Sequence, residues 1–287
     1  MALASRRGVP KYHGSMDALL AALADEHSCV PLDIAALELA EIEYPFLDHD
    51  TPLQTLDRIA STVADHMEVN ADGAEFVAAT NHVLFEIWRF RRNDTDYYDP
   101  RNSFLNDVLV RRVGIPITLS VVYIEVGRRL ARPVFGVGLP GHFLVRYDEI
   151  GYSAFLDPYH GGRVLTPAEC HEMARSLTGA DTTADPQALA PVSRRYILVR
   201  MLNNLKGVYT RQERWEKLLP VLNLLLHAMP DSADEYRTRG IANLHLRRFR
   251  EARADLGRYL DLSPKAEDKE TVGEELRKIH RILATLN

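Results

Sequence analysis

The hydrophobic period of the chain switches between residues 117 and 139, and that switch constrains the fold more than any other feature. Over the expected helix 117–130, apolar residues stand at 117, 119, 121, 122, 124 and 126, which leaves almost no polar face in its first half. That half is expected to be buried all round, so the helix belongs at the centre of a domain. Pro116 fits its first turn. Arg128 and Arg129 place positive charge near its C-terminus, where the macrodipole favours it. After residue 130 the period falls to two. Residues 133–139, 142–147 and 153–157 are short, rich in β-branched and aromatic side chains, and separated by Gly and Asp/Glu, so they read as strands. A buried helix followed by a small hairpin-built sheet implies an α+β domain.

The flanks are helical. Residues 16–26 form an Ala/Leu-rich helix with Ser15 as its N-cap. Residues 33–44 form a second, ended by Pro45. Thr51 and Pro52 are the expected N-cap and first residue of a third, which runs to residue 67. Residues 75–90 and 103–112 make two more around a polar loop at 93–102, and 167–177 follows the strands. Residues 178–192 are the expected linker. Beyond it Pro230 and Pro264 stand 34 residues apart, the period of tetratricopeptide repeats. That register puts Leu205 and Tyr209 at signature positions in the first copy, and Tyr236, Gly240 and Ala252 in the second. Residues 267–286 supply a closing helix for the open end of the stack. The expected division is an α+β domain over 15–180 and a helical repeat domain over 193–287.

Composition narrows the partners. A net charge of −5 gives no bulk reason to expect nucleic acid. No run of about 18 apolar residues exists, so no membrane span is expected, and the first residues lack the apolar core of a secretory signal. Two cysteines, Cys29 and Cys170, build no disulfide framework, and a reducing cytosol is the default. Both are expected to be inert, partly buried small residues.

His142 and Asp157 can be set against each other by register alone. A hairpin turning at Glu149-Ile150 places them directly opposite, with both side chains on one face. A hydrogen bond between them would raise the pKa of the imidazole and fix its tautomer. Two readings stay open: a working acid/base or ligand-gripping pair, and a structural bond whose loss strands one partner. His142, Asp157 and His160 also make up a two-His, one-carboxylate set. No His-x-x-x-His spacing supports it, so neither metal nor cofactor is expected. Seven arginines between Arg237 and Arg258 are solvated helix faces on one reading and a surface for an acidic peptide on another.

Asn102-Ser103-Phe104-Leu105-Asn106, Gly114-Ile115-Pro116-Ile117-Thr118-Leu119-Ser120, Pro140-Gly141-His142-Phe143-Leu144-Val145 and Asp157-Pro158, followed by the repeats, resemble the SirB-type transglutaminase-like/tetratricopeptide family. The resemblance spans roughly residues 15–285. It implies a degenerate papain/transglutaminase-like core with a helical N-terminal region, then an all-α tetratricopeptide-like domain. In the thiol enzymes that this core resembles, a Cys at the start of the central helix is the nucleophile and an Asp orients the His. Here that helix starts Gly114-Ile115-Pro116-Ile117-Thr118 and carries no thiol. Thr118 and Ser120 are the hydroxyls on offer, and either would need a strong adjacent base. The expected function is therefore non-catalytic recognition or regulation, with a protein or peptide partner on the repeats. The alternative is a hydrolase or acyltransferase that uses His142, Asp157 and Thr118 or Ser120.

Overall fold

A computed structural model describes residues 16–93 and 95–285. The N-terminal helices are α1 (Asp17–Ala24), α2 (Leu32–Ala40), α3 (Asp50–Asp65) and α4 (Gly73–Asn81). α1 has no side-chain cap of its own; Glu38 of α2 reaches across and accepts a hydrogen bond from Leu19 N at 2.7 Å. Burial pushes that carboxyl up to about 7, against the pull of the backbone hydrogen bonds that it accepts. The expected Ser15 cap lies outside the described residues. α3 begins earlier than the Thr51 cap requires. The Asp48 carboxylate accepts from Asp50 N at 3.0 Å and from the Thr51 hydroxyl, so Thr51 sits inside the helix. α4 opens on a capping box, with Asp72 accepting from Ala74 N and Glu75 N while Glu75 accepts from Asp72 N. It runs on into a π-helical stretch, His82–Ile87.

The central helix is α6 (Pro116–Arg129), preceded by β1 (Arg91–Arg92), α5 (Leu105–Arg111) and β2 (Val113–Gly114). Eleven of its residues are buried, Thr118, Ser120 and Glu125 among them. Its C-terminal arginines do more than meet the dipole. Arg129 bonds Asp33 at 2.7 Å, Asp57 at 2.9 Å and Glu125 at 2.9 Å, and Arg128 bonds Asp33 and Glu125. These pairs tie α6 to α2 and α3 at one end.

Strands β3 (Val134–Leu139), β4 (His142–Glu149), β5 (Tyr152–Asp157) and β6 (Arg163–Leu165) form an antiparallel meander in that order. Its two faces alternate. Phe143, Val145, Tyr147, Ala154 and Leu156 join the main core with α6. Val137, Leu139, Leu144, Phe155 and Leu165 pack on the other face, with Cys170 of α7 (Pro167–Thr178). The β4–β5 hairpin pairs Glu149 with Tyr152 and Val145 with Leu156. The turn therefore sits at Ile150-Gly151, one residue later than expected, where Gly151 takes φ of 90°. The register is shifted by two from the one that sets His142 directly opposite Asp157. A two-residue shift keeps both side chains on the same face, as diagonal neighbours.

The rest is helical: α8 (Arg194–Arg211), α9 (Trp215–Ala228), α10 (Ala233–His245), α11 (Phe249–Leu262) and α12 (Lys269–Thr285). The 34-residue period is visible in the backbone. Glu213 (φ 54°) and Arg247 (φ 56°) stand 34 apart, each left-handed and each two residues before the second helix of its pair. Gly240 allows close crossing, since a Cβ there would lie 2.8 Å from Leu256. Of the expected linker 178–192, Thr178 ends α7 and the remaining residues are non-helical, but they do not hang free. Leu189 packs beside the Cys170 cluster and Val192 N donates to Gly136 O. Arg195 bonds Leu23 O and Ala228 O, and Arg214 bonds Glu43, so the repeats are pinned to the N-terminal helices.

Candidate functional site

Asp157 closes β5 and caps the 3-10 turn Pro158–His160. Its carboxylate is fully buried and accepts from four donors. Oδ1 takes His142 Nε2 at 3.0 Å, Tyr159 N at 3.1 Å and His160 N at 3.3 Å; Oδ2 takes His160 Nδ1 at 2.7 Å. Burial by itself would raise this carboxyl. Hydrogen bonds and charge from His142 and His160 outweigh it and hold it below its ordinary value. An ionised carboxylate only accepts, so both facing imidazole nitrogens carry protons. His142 Nδ1 and His160 Nε2 are left as the nitrogens not engaged by Asp157.

Local backbone explains why the three side chains meet. Pro140-Gly141 turns the chain into β4, with Gly141 at φ 74° and α7 close behind it. Arg200 of α8 reaches the carbonyls of Leu139 and His142 at 3.4 and 3.3 Å, so the first repeat helix braces the turn that carries His142. After His160, Gly161 and Gly162 both take positive φ and fold the chain back into β6. Asn81 fixes that return by donating to Gly162 O at 2.8 Å. His142 is 5% exposed, whereas the His160 side chain is 41% exposed and faces outward.

A cleft of about 660 Å³ opens beside this cluster. Tyr97, Pro116, His142, His160, Met173 and Leu177 are among the residues that line it. The N-terminus of α6 thus reaches the cleft as the thiol enzymes would require, but Pro116 is the residue presented there. The candidate hydroxyls do not join the pair. Thr118 is buried. Its Oγ1 donates to Asn102 O at 2.7 Å and accepts from Ile115 N at 3.1 Å, which makes it a cap for α6. Ser120 is buried, and its hydroxyl has no hydrogen-bond partner among the described residues.

The cysteines differ from the expectation of two partly buried residues. Cys29 is exposed, while Cys170 is wholly buried on α7 beneath the site. Burial, with the Glu169 and Asp157 charges, pushes the Cys170 thiol up to about 12. In native protein at pH 8 we expect maleimide to label Cys29 alone, with Cys170 reacting only after denaturation. Labelling at Cys170 in the folded state, seen by peptide mass mapping, would contradict this placement.

Sequence reasoning placed His142 and Asp157 but gave His160 a role only in a metal set. The signal for His160 was the Gly161-Gly162 pair, which lets the chain double back. Nothing in the sequence marked Asn102 O as the acceptor of Thr118, or α7 as the second wall of the cleft.

Comparison with known proteins agrees with this geometry. A family model described as "Transglutaminase-like superfamily" matches residues 50–203, and one described as "Tetratricopeptide repeat" matches 205–277. A UPF0162 protein of Xylella fastidiosa is 38% identical over 88% of this chain and 90% of its own length. A UPF0162 protein of Pseudomonas aeruginosa is 28% identical over 85% of this chain and 89% of its own. Human F-box only protein 21 is 31% identical over 55% of this chain and 26% of its own, so that longer protein shares part of the chain.

Proposed function

The chain belongs to the transglutaminase-like superfamily, and from that premise we propose that it recognises a partner without chemically turning it over. The observation that supports this is the start of α6. Pro116 lines the cleft there, and the nearest candidate hydroxyl, Thr118, already caps the helix. An acid/base pair without a nucleophile can hold a proton or grip a polar group, but it cannot form the covalent intermediate of a thiol enzyme. The His142–Asp157 pair serves here as a rigid polar floor to an open cleft. The helical repeats provide the surface for a protein or peptide partner. On that surface Arg237, Arg239 and Arg258 are occupied by Asp268, Asp255 and Asp231. Arg253 and Arg277, on the groove between α11 and α12, suit acidic groups better.

The second reading, a hydrolase or acyltransferase, draws on the 3.0 Å bond from His142 Nε2 to Asp157, which leaves Nδ1 as the free nitrogen. One experiment separates the two. Purified protein is offered an activated ester, and then an activated ester with an amine acceptor. No turnover above that of the Ser120→Ala and His142→Ala variants is expected. Turnover that disappears in His142→Ala, with the fold intact by circular dichroism, would replace recognition with catalysis.

A further inference from the structure

Two imidazoles and one carboxylate converge on a single point of the cleft floor. One donor atom from each of His142, Asp157 and His160 lies within 4.8 Å of the other two. His142 Nε2 stands 3.0 Å from Asp157 Oδ1 and His160 Nδ1 stands 2.7 Å from Oδ2, so both imidazoles already abut the carboxylate, each at its own oxygen. Ligand atoms about 2.0–2.1 Å from a tetrahedral zinc ion stand about 3.3 Å apart from one another. A common centre is within reach of all three side chains, and the two imidazoles must turn from the carboxylate toward it.

The surroundings favour that turn. Asp157 and His142 are buried and held by β5 and β4, whereas His160 ends the 3-10 turn with an exposed side chain that can adjust. The turn that delivers it is braced by the Asn81–Gly162 bond, so the adjustment starts from a nearly formed site. Charge is also suitable. The cleft wall adds Glu169 and Glu172 to the buried Asp157, against one cation, Arg163, which is tied to Glu169. Unoccupied ligand positions would face the cleft, where a carbonyl, water or side chain of the bound partner could complete the coordination.

We propose that His142, Asp157 and His160 bind one divalent transition-metal ion of the zinc or iron(II) class, with its open positions directed into the cleft. Two neutral imidazoles and one carboxylate form a mixed nitrogen–oxygen set that suits such ions and not magnesium or calcium. Each imidazole moves its proton to the other ring nitrogen as it binds, so no net proton release is required. The proposal rests on the recognition reading only in taking this cleft as the partner's site.

The test uses the full chain, stripped with chelator and then titrated with zinc chloride by calorimetry and with cobalt(II) chloride by visible absorption. One ion per chain and a tetrahedral cobalt(II) spectrum are expected. His160→Ala should weaken binding at least about tenfold and abolish the cobalt(II) band without lowering the melting temperature by more than a few degrees. His27→Ala, at an exposed histidine far along the chain, should change nothing. Absence of binding by the parent chain, or equal binding by His160→Ala, overturns the proposal. The readout involves no partner and no turnover. Its failure leaves the recognition reading intact, and failure of that reading leaves the ion bound.

Discussion

Asp157→Ala is expected to be among the most damaging single substitutions in the chain, with a loss of about 3–5 kcal/mol, the range for removing one member of a buried, hydrogen-bonded charged pair. Four donors lose their acceptor together: two imidazoles and the backbone amides of Tyr159 and His160. Asp157→Asn keeps the shape but replaces one acceptor oxygen with an NH2 that faces donors, so it should recover only part of the loss. The pH dependence has a definite sign. The folded-state pKa of Asp157 lies below its ordinary value. Its contribution is therefore fully present above about pH 4, the unfolded value. It is lost as pH falls through the folded value. The parent should lose stability steeply below about pH 4, and Asp157→Asn should show a flatter acid limb. Urea midpoints measured between neutral pH and pH 3 check both statements. An Asp157→Ala variant as stable as the parent would show that the carboxylate is not the organising group described here.

The second large effect is expected at Gly162. Its φ of 76° costs an alanine about 1–2 kcal/mol. A Cβ there would also stand 2.2 Å from Asn81 Oδ1 and 2.7 Å from the Phe85 ring. Asn81 must then leave, and with it goes the 2.8 Å bond that pins the return after His160. Gly162→Ala should cost about 2–4 kcal/mol, adding a lost, partly buried hydrogen bond to the backbone strain. Gly161 is the internal control. Its φ is 71°, but a Cβ there would meet nothing within 4 Å, so Gly161→Ala should cost only the strain. Thermal melts of the two variants side by side test the difference. Equal losses would mean that the Asn81 contact carries no weight, and the turn that positions His160 would be explained by glycine conformation alone.

Two kinds of information in the sequence were sufficient for the architecture. The apolar residues at 117, 119, 121, 122, 124 and 126 required a buried helix, and α6 is buried along most of its length. The drop to period two required strands, and the meander follows. The 34-residue spacing of Pro230 and Pro264 reappears as left-handed turns at Glu213 and Arg247. These signals are local, because hydrophobic period and turn chemistry are written in neighbouring residues. Register was nearly as legible. The turn fell one residue late because Gly151, and not Glu149, can adopt the positive φ that the hairpin needs. His142 and Asp157 still met, because a two-residue shift preserves the face.

The parts that were not legible are all contacts between distant segments. Asn102 O answers Thr118, and Glu38 caps α1 from another helix. Asn81 seals Gly162 across the fold, and Arg200 braces the His142 turn from the first repeat. The expected linker packs against the sheet through Leu189 and Val192. The exposure of Cys29 and the burial of Cys170 likewise follow from what lies over them and not from their neighbours in the chain. The sequence by itself determined which elements form and that no cysteine stands at the start of the central helix. Only the tertiary structure decided that Thr118 is already committed, that His160 joins the pair, and that the cleft opens beside them. The physical reason is that propensity and period act over a few residues, whereas a site is a convergence of side chains whose approach depends on how whole elements pack.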